Sequence, residues 1–280
     1  MSIAHSAFYH VASGLFDVVL AIGAEKQYEG EPQGVMNTVV ETAFQQPFVA
    51  GAPSVFAMQS NEYMHRYDIP EDRIRLAAAE VSVRNHNDAL DNPYAHIQIK
   101  ITVDDVLKSR IICYPVRLLD VCPSSDGATA IIFASEEKAR KITDTPVWVK
   151  GVGYRGDEYR RDSDKVIWDS AVEAARVAYK MAGITNPLKQ LDVAEIYNPF
   201  TFQELLYYEC FGFCERGEAY KLVEDRVVFR EGELPCDPSG GVLCTNPIGA
   251  TGITRVAEAA LQVQGKAGKH QVPDAETTFA

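Results

Sequence analysis

The sequence has no run of about 18 apolar residues, so it offers no helix able to span a membrane. It also lacks an excess of positive charge. Lys+Arg number 27 against 39 Asp+Glu, giving a net charge of −12, which argues against nucleic acid or an anionic membrane surface as the main partner. None of its cysteines (Cys113, Cys122, Cys210, Cys214, Cys236, Cys244) form a Cys-x-x-Cys pair, so no zinc site is read from them. Cys210 and Cys214 lie one helical turn apart and read as buried thiols, which suits a reducing, cytoplasmic compartment. Nothing at the start reads as a signal peptide, because Met1 leads into a mixed helix containing His5 and His10. The chain's most glycine-rich turn is not followed by Gly-Lys-Ser/Thr, so it is no phosphate loop.

That turn is the stretch the chain is organised around. Gly240-Gly241-Val242-Leu243-Cys244-Thr245-Asn246-Pro247-Ile248-Gly249-Ala250-Thr251-Gly252 opens a helix with apolar residues at Ile253, Val256, Ala257, Ala260, Leu261 and Val263. Gly265 and Gly268 end it. A glycine-rich turn at a helix N-terminus can present backbone N–H groups to developing negative charge, and Gly249 and Gly252 would let a ligand approach closely. A tight connection with no ligand fits the same glycines. The 280 residues, 46% hydrophobic and 24% charged, suffice for two halves or one large α/β unit.

Ile3 to Ser13 reads as a helix, and Leu15 to Ile22 as a near-continuous apolar run that fits a buried parallel strand. Such a strand needs neighbours that nothing upstream supplies, so the chain reads as incomplete. Residues 26–110 form a long excursion with helices over Ser54–Tyr67 and Glu71–His86; such excursions usually carry binding function. Ala128–Ala134 reads as another buried strand, Thr143–Pro146 as a linker, and Val147–Val152 as a strand. A helix through Trp168, Val172, Ala175 and Tyr179 stops at Gly183. Leu191–Ile196 reads as a strand, Thr201 as the cap of a helix reaching Phe211, and Val242–Cys244 as a further strand. The order predicts two α/β halves with mainly parallel sheets, spanning residues 1–142 and 146–280. Ligands in such folds sit beyond strand carboxyl ends, where Tyr197-Asn198 and Thr245-Asn246 fall.

Four segments together resemble the thiolase superfamily, in the branch of the thiolase domain of sterol carrier protein. They are Asn85-His86 with Asn92-Pro93-Tyr94; Cys122-Pro123-Ser124-Ser125-Asp126-Gly127-Ala128; Glu195-Ile196-Tyr197-Asn198-Pro199-Phe200-Thr201 with Glu204-Leu205-Leu206; and Asn246 to Gly252. The resemblance implies a five-layered αβαβα fold of two similar halves, dimerisation, acyl-CoA substrates and reversible Claisen chemistry without metal or organic cofactor, coenzyme A entering as substrate. It also implies that the chain is incomplete at both ends, since the family's two catalytic cysteines fall before Met1 and after Ala280. Little thiolase activity is therefore expected of the 280 residues alone. Where the family usually has histidines, this chain has Tyr197 and Asn246. Some thiolase-like proteins without the usual residues look like retro-aldolases on acyl-CoA, and several work with a small zinc-ribbon/OB-fold partner.

The site residues expected on this basis are Tyr197 and Asn246 as catalytic oxyanion donors. Asn198, Phe200, Gly249, Gly252 and His86 are expected to bind substrate. Two functions compete: an acyl-CoA enzyme that makes or breaks a carbon–carbon bond by thiolysis or retro-aldol cleavage, and a non-catalytic subunit or acyl-CoA- or lipid-binding module of a larger complex. Thiolysis requires a thiolate with a nearby base. Retro-aldol cleavage requires a base for a hydroxyl and donors for an enolate.

Overall fold

The computed structural model describes residues 2–36, 38, 51–156, 166 and 168–280; residues 37 and 39–50 of the expected excursion lie outside the described residues. The elements in chain order are α1 (Ser2–Ala12), β1 (Val18–Glu25), α2 (Pro32–Met36), α3 (Gly51–Arg66), α4 (Glu71–Ala89), α5 (Val103–Lys108), β2 (Ile111–Cys113), β3 (Val116–Arg117), β4 (Gly127–Ala134) and α6 (Glu136–Ile142). There follow α7 (Asp169–Ala182), α8 (Pro187–Gln190), β5 (Val193–Ala194), α9 (Thr201–Cys210), α10 (Ala219–Glu224), α11 (Gly241–Cys244), α12 (Ile248–Val263) and β6 (Thr278–Phe279). Among the described residues no helix is long and apolar enough to cross a membrane.

β1 does not lie inside a parallel sheet. It pairs antiparallel with β4, Val18 opposite Ala134 through Glu25 opposite Gly127. One face of the ribbon (Val19, Ala21, Gly23, Ile131, Phe133) packs on α1 and α12. Gly23 is where α12 comes closest: a Cβ there would sit 2.8 Å from Ile253 and 3.0 Å from the Ala250 backbone. The other face carries Val18, Leu20, Ile22 and Ile132, exposed by 43%, 57%, 53% and 59%. The continuous apolar run conceals an alternation, because both faces are apolar but only one is covered here. The expectation of buried strands over Leu15–Ile22 and Ala128–Ala134 is corrected accordingly.

Of the expected parallel pairing, β5 with β6 is what the described residues contain. The strand expected over Leu191–Ile196 shortens to Val193–Ala194, wedged between β6 and the chain at Cys236. Val147–Val152 forms no strand; Gly151 and Gly153 press instead against the Ala178 and Ala174 carbonyls of α7. The helices at the chain's start, over 51–66, 71–89 and 169–182 follow the expected spacing, and Gly183 closes α7 in the left-handed conformation at φ 74°.

The main core is built where α4, α9 and α10 pack together, with Ile74, Val81, Leu205, Tyr208, Phe213 and Leu234 at its centre. Two arginine–carboxylate pairs are sealed within it or beside it, Arg84–Glu204 and Arg255–Glu195. Isolated charges there would be expensive, so each arrives with its partner and further hydrogen bonds. These pairs fix the two loops that form the site.

Candidate functional site

The first loop runs from β5 into α9. Asn198 is fully buried on it, and its amide is fully engaged: Oδ1 accepts from the Val242 amide at 2.7 Å, and Nδ2 donates to Glu204 at 2.7 Å and to Asn85 at 3.2 Å. Glu204 in turn holds Arg84 and Tyr208. The expected cap role of Thr201 is corrected: Phe200 occupies the cap position, and the Thr201 hydroxyl donates to Asp120 at 2.9 Å. That bond and the Val121–Phe200 bridge bring residues 120–122 beside the loop; the Cys122 amide donates to the Pro199 carbonyl at 2.9 Å.

The second loop runs from Asp237 to α12. Gly240 and Gly241 take φ of +91° and +60°, which only glycine adopts readily, and reverse the chain into the helical turn α11. A helix, not a strand, therefore precedes Asn246. Gly241 also has no room for a side chain, since a Cβ would lie 2.6 Å from Asn85 and 2.8 Å from Asn198. Ser239 hangs on Glu195 through its amide at 3.2 Å and its hydroxyl at 2.7 Å, and Arg255 closes that group.

Asn246 follows. Its Oδ1 accepts from the Thr251 hydroxyl at 2.8 Å, and its Nδ2 donates to Cys122 Sγ at 3.0 Å. One amide hydrogen is left over among the described residues. Tyr197 is half-buried beside Cys122, and its hydroxyl makes no hydrogen bond among the described residues. Burial, with the neighbouring Cys122, pushes the Tyr197 phenol up to about 12. Burial likewise pushes the Cys122 thiol up to about 11 against the opposing Asn246 hydrogen bond. At neutral pH all three groups keep their protons. They form an uncharged cluster of donors, suited to an oxygen that gains negative charge.

The other expected residues are placed as follows. Gly249 is exposed in the first turn of α12, but its amide donates to Glu25 at 3.2 Å, so this turn carries the protein's own carboxylate and its N–H groups are not all free. Gly252 lies half-buried in the next turn. Phe200 is buried against Phe56, ring centroids 4.3 Å apart. His86 is buried in α4 with Nδ1 2.8 Å from the Ser82 carbonyl, and burial lowers its pKa. Its neighbour Asn85 is the α4 residue that reaches the loops. Sequence reasoning placed Cys122 in a motif but not in the site. It likewise placed Ser125 and Thr251, which bond Asn246, in motifs but not in the site, and passed over His96, which bonds Ser125. Among the described residues no three His, Cys, Asp or Glu side chains gather so as to hold a metal ion.

The family description "Thiolase C-terminal domain-like" matches residues 153–280. An acetyl-CoA acetyltransferase of Methanothermobacter thermautotrophicus is 37% identical over 277 residues, covering 97% of this chain and 70% of that protein. The chain belongs to the thiolase superfamily. Within it, sterol carrier protein 2 of Rattus norvegicus is 31% identical over 96% of this chain, which spans 51% of that protein's length. A solved structure named Ltp2-ChsH2(DUF35) aldolase superposes with a TM-score of 0.83 at 29% identity, covering 97% of this chain and 71% of that one. The thiolase fold thus accounts for the α/β architecture and for the sterol-carrier-type motifs that meet at the site.

Proposed function

We propose that this thiolase-family chain acts on an acyl-CoA thioester, making or breaking a carbon–carbon bond, with Asn246 and Tyr197 donating to the thioester oxygen as it becomes an oxyanion. The observation that carries the reading is the convergence of Tyr197, Cys122 and Asn246 into one uncharged donor cluster. Retro-aldol cleavage fits best. When the C2–C3 bond of a 3-hydroxyacyl-CoA breaks, its electron pair enters the thioester as an enolate, and donors at that oxygen lower the barrier. The likeness to a structure named as an aldolase supports this. Thiolysis is the second reading, supported by the relative named as an acetyl-CoA acetyltransferase; coenzyme A is then the co-substrate.

Gly249 and Gly252 line the approach of the ligand in this reading, Asn198 and Phe200 act from behind by holding the loops, and His86 stays within α4 on the Ser82 carbonyl. The division into 1–142 and 146–280 accompanies it, as do a cytoplasmic setting and operation without metal or organic cofactor. The apolar outer face of β1–β4 suits association through the N-terminal half, as a homodimer or with a smaller subunit. The deciding experiment supplies the complete natural assembly with a 3-hydroxyacyl-CoA carrying a tertiary C3 and, separately, with acetoacetyl-CoA plus coenzyme A. Release of a ketone from the first supports retro-aldol cleavage, acetyl-CoA from the second supports thiolysis, and neither product overturns the proposal. Tyr197→Phe should lower whichever turnover is found by about 100–1000-fold.

A further inference from the structure

The positions where the family usually has imidazoles hold Tyr197 and Asn246, yet the fold brings another imidazole to the same place. The chain has six histidines. His86 bonds the Ser82 carbonyl, His270 pairs with Glu258 and His5 lies against the Gly153 carbonyl. His10 stacks edge-on with Phe16, and His65 sits in the last turn of α3. His96 alone among these is hydrogen-bonded beside Asn246: its Nδ1 lies 2.9 Å from Ser125 Oγ, and the same oxygen accepts from the Asn246 backbone N–H at 3.0 Å.

The segment that carries His96 has no regular secondary structure, but it is pinned at several points. The His96 amide donates to Thr245 Oγ1 at 2.9 Å, and the Ile97 amide donates to the Cys244 carbonyl at 3.0 Å. Asn92 holds the start of the segment through Ser239 at 2.9 Å, and Gln98 folds back onto the Asn92 carbonyl at 2.7 Å. So the ring rides on the same loop that places Asn246.

Ser125 is buried, and its oxygen already accepts from Asn246. Its own hydrogen has no other acceptor among the described residues than His96 Nδ1. A buried hydroxyl hydrogen without an acceptor is unfavourable, so Ser125 donates to Nδ1. The neutral ring then carries its proton on Nε2. His96 itself is exposed, and Nε2 makes no hydrogen bond among the described residues. The result is an oriented N–H donor at the rim of the cluster.

We propose that His96 Nε2–H is a further catalytic donor of this site, hydrogen-bonding the thioester oxygen alongside Asn246 as that oxygen becomes an enolate. This rests on the reading of Tyr197 and Asn246 as oxyanion donors. The segment 92–98 thereby supplies the imidazole that the two loops lack, and the residue takes part without transferring its proton.

The test uses acetoacetyl-CoA with the complete natural assembly and reads the fraction of bound ligand present as enolate by its ultraviolet absorbance. Four variants are compared with the unchanged protein: His96→Asn, His96→Gln, Tyr197→Phe and Asn246→Ala. Asn retains an acceptor for Ser125 but no donor where Nε2 stood, whereas Gln reaches that position with an N–H. The expected result is an enolate-to-keto ratio lowered on the order of 10-fold or more by His96→Asn and largely restored by His96→Gln, with thermal midpoints alike. His96→Asn equal to the unchanged protein, or Asn and Gln equally impaired, overturns the proposal and makes His96 a holder of Ser125 only. Loss of enolate in Tyr197→Phe and Asn246→Ala with none in His96→Asn fails this inference alone. No enolate in the unchanged protein, or none lost in Tyr197→Phe and Asn246→Ala, fails the underlying reading as well.

Discussion

Asn198 and Asn246 each follow a short element and each turn the chain toward a helix, but their amides are used in opposite ways. Asn198 is saturated by Val242, Glu204 and Asn85, and nothing of it remains for a ligand. Asn246 is held by Thr251 and Cys122 and still has a hydrogen to give, and the Tyr197 hydroxyl has no hydrogen-bond partner among the described residues. The interior around Asn198 is a scaffold in which satisfied polar groups fix geometry. Asn246 is also buried, but its surroundings are preorganised and unfinished, which is the property a catalytic donor needs.

The largest effect that would break this contrast lies in the scaffold. Arg84→Met should leave Glu204 buried without its cation and destabilise the fold by about 3–5 kcal/mol. Urea unfolding would measure it, and a variant as stable as the parent would mean the network is not structural. Asn198→Ala should cost less, about 1–3 kcal/mol, because it orphans the Val242 N–H and takes a donor from Glu204 and from Asn85. Any loss of turnover should follow the loss of folded protein, and a large loss of turnover at unchanged stability would move Asn198 from scaffold to chemistry.

The smallest effect concerns pH. Cys122 and Tyr197 donate only while protonated, and burial raises them to about 11 and about 12. Their donor forms are therefore complete below those values and lost only as pH rises through them. A turnover profile on the complete assembly should show no loss from these groups between pH 7 and about 10. A fall centred near the ordinary thiol range of about 8.5 that disappears in Cys122→Ser would show the thiol to be less buried than it stands here.

The motifs that meet at the site were legible in the sequence, because glycine, proline and asparagine mark turns whatever the packing around them. What periodicity could not show is which side of α12 faces inward. The apolar positions Val256, Ala257, Ala260 and Leu261 are only half-buried, while Arg255, Glu258 and Gln262 are buried. Arg255 pairs with Glu195, Glu258 with His270, and Gln262 donates to the His270 carbonyl, partners that no helical period points to. The same blindness chose His86 over its neighbour Asn85, since one step along a helix turns a side chain by about 100°. It also hid His96, whose segment has no period at all. β1 misled in the opposite direction: a near-continuous apolar run looks buried on both faces, although among the described residues α1 and α12 cover one face and the other is exposed.

The central claim is that Asn246 serves the reaction beyond its part in holding Thr251 and Cys122. The most direct test measures turnover and urea stability together for Asn246→Ala in the complete assembly. The account predicts turnover lower by about 100–1000-fold, with a stability loss of only about 1–3 kcal/mol from the orphaned Thr251 hydroxyl, which leaves the protein folded. Near-parental turnover, or a loss of activity explained by a matching loss of stability, would contradict it.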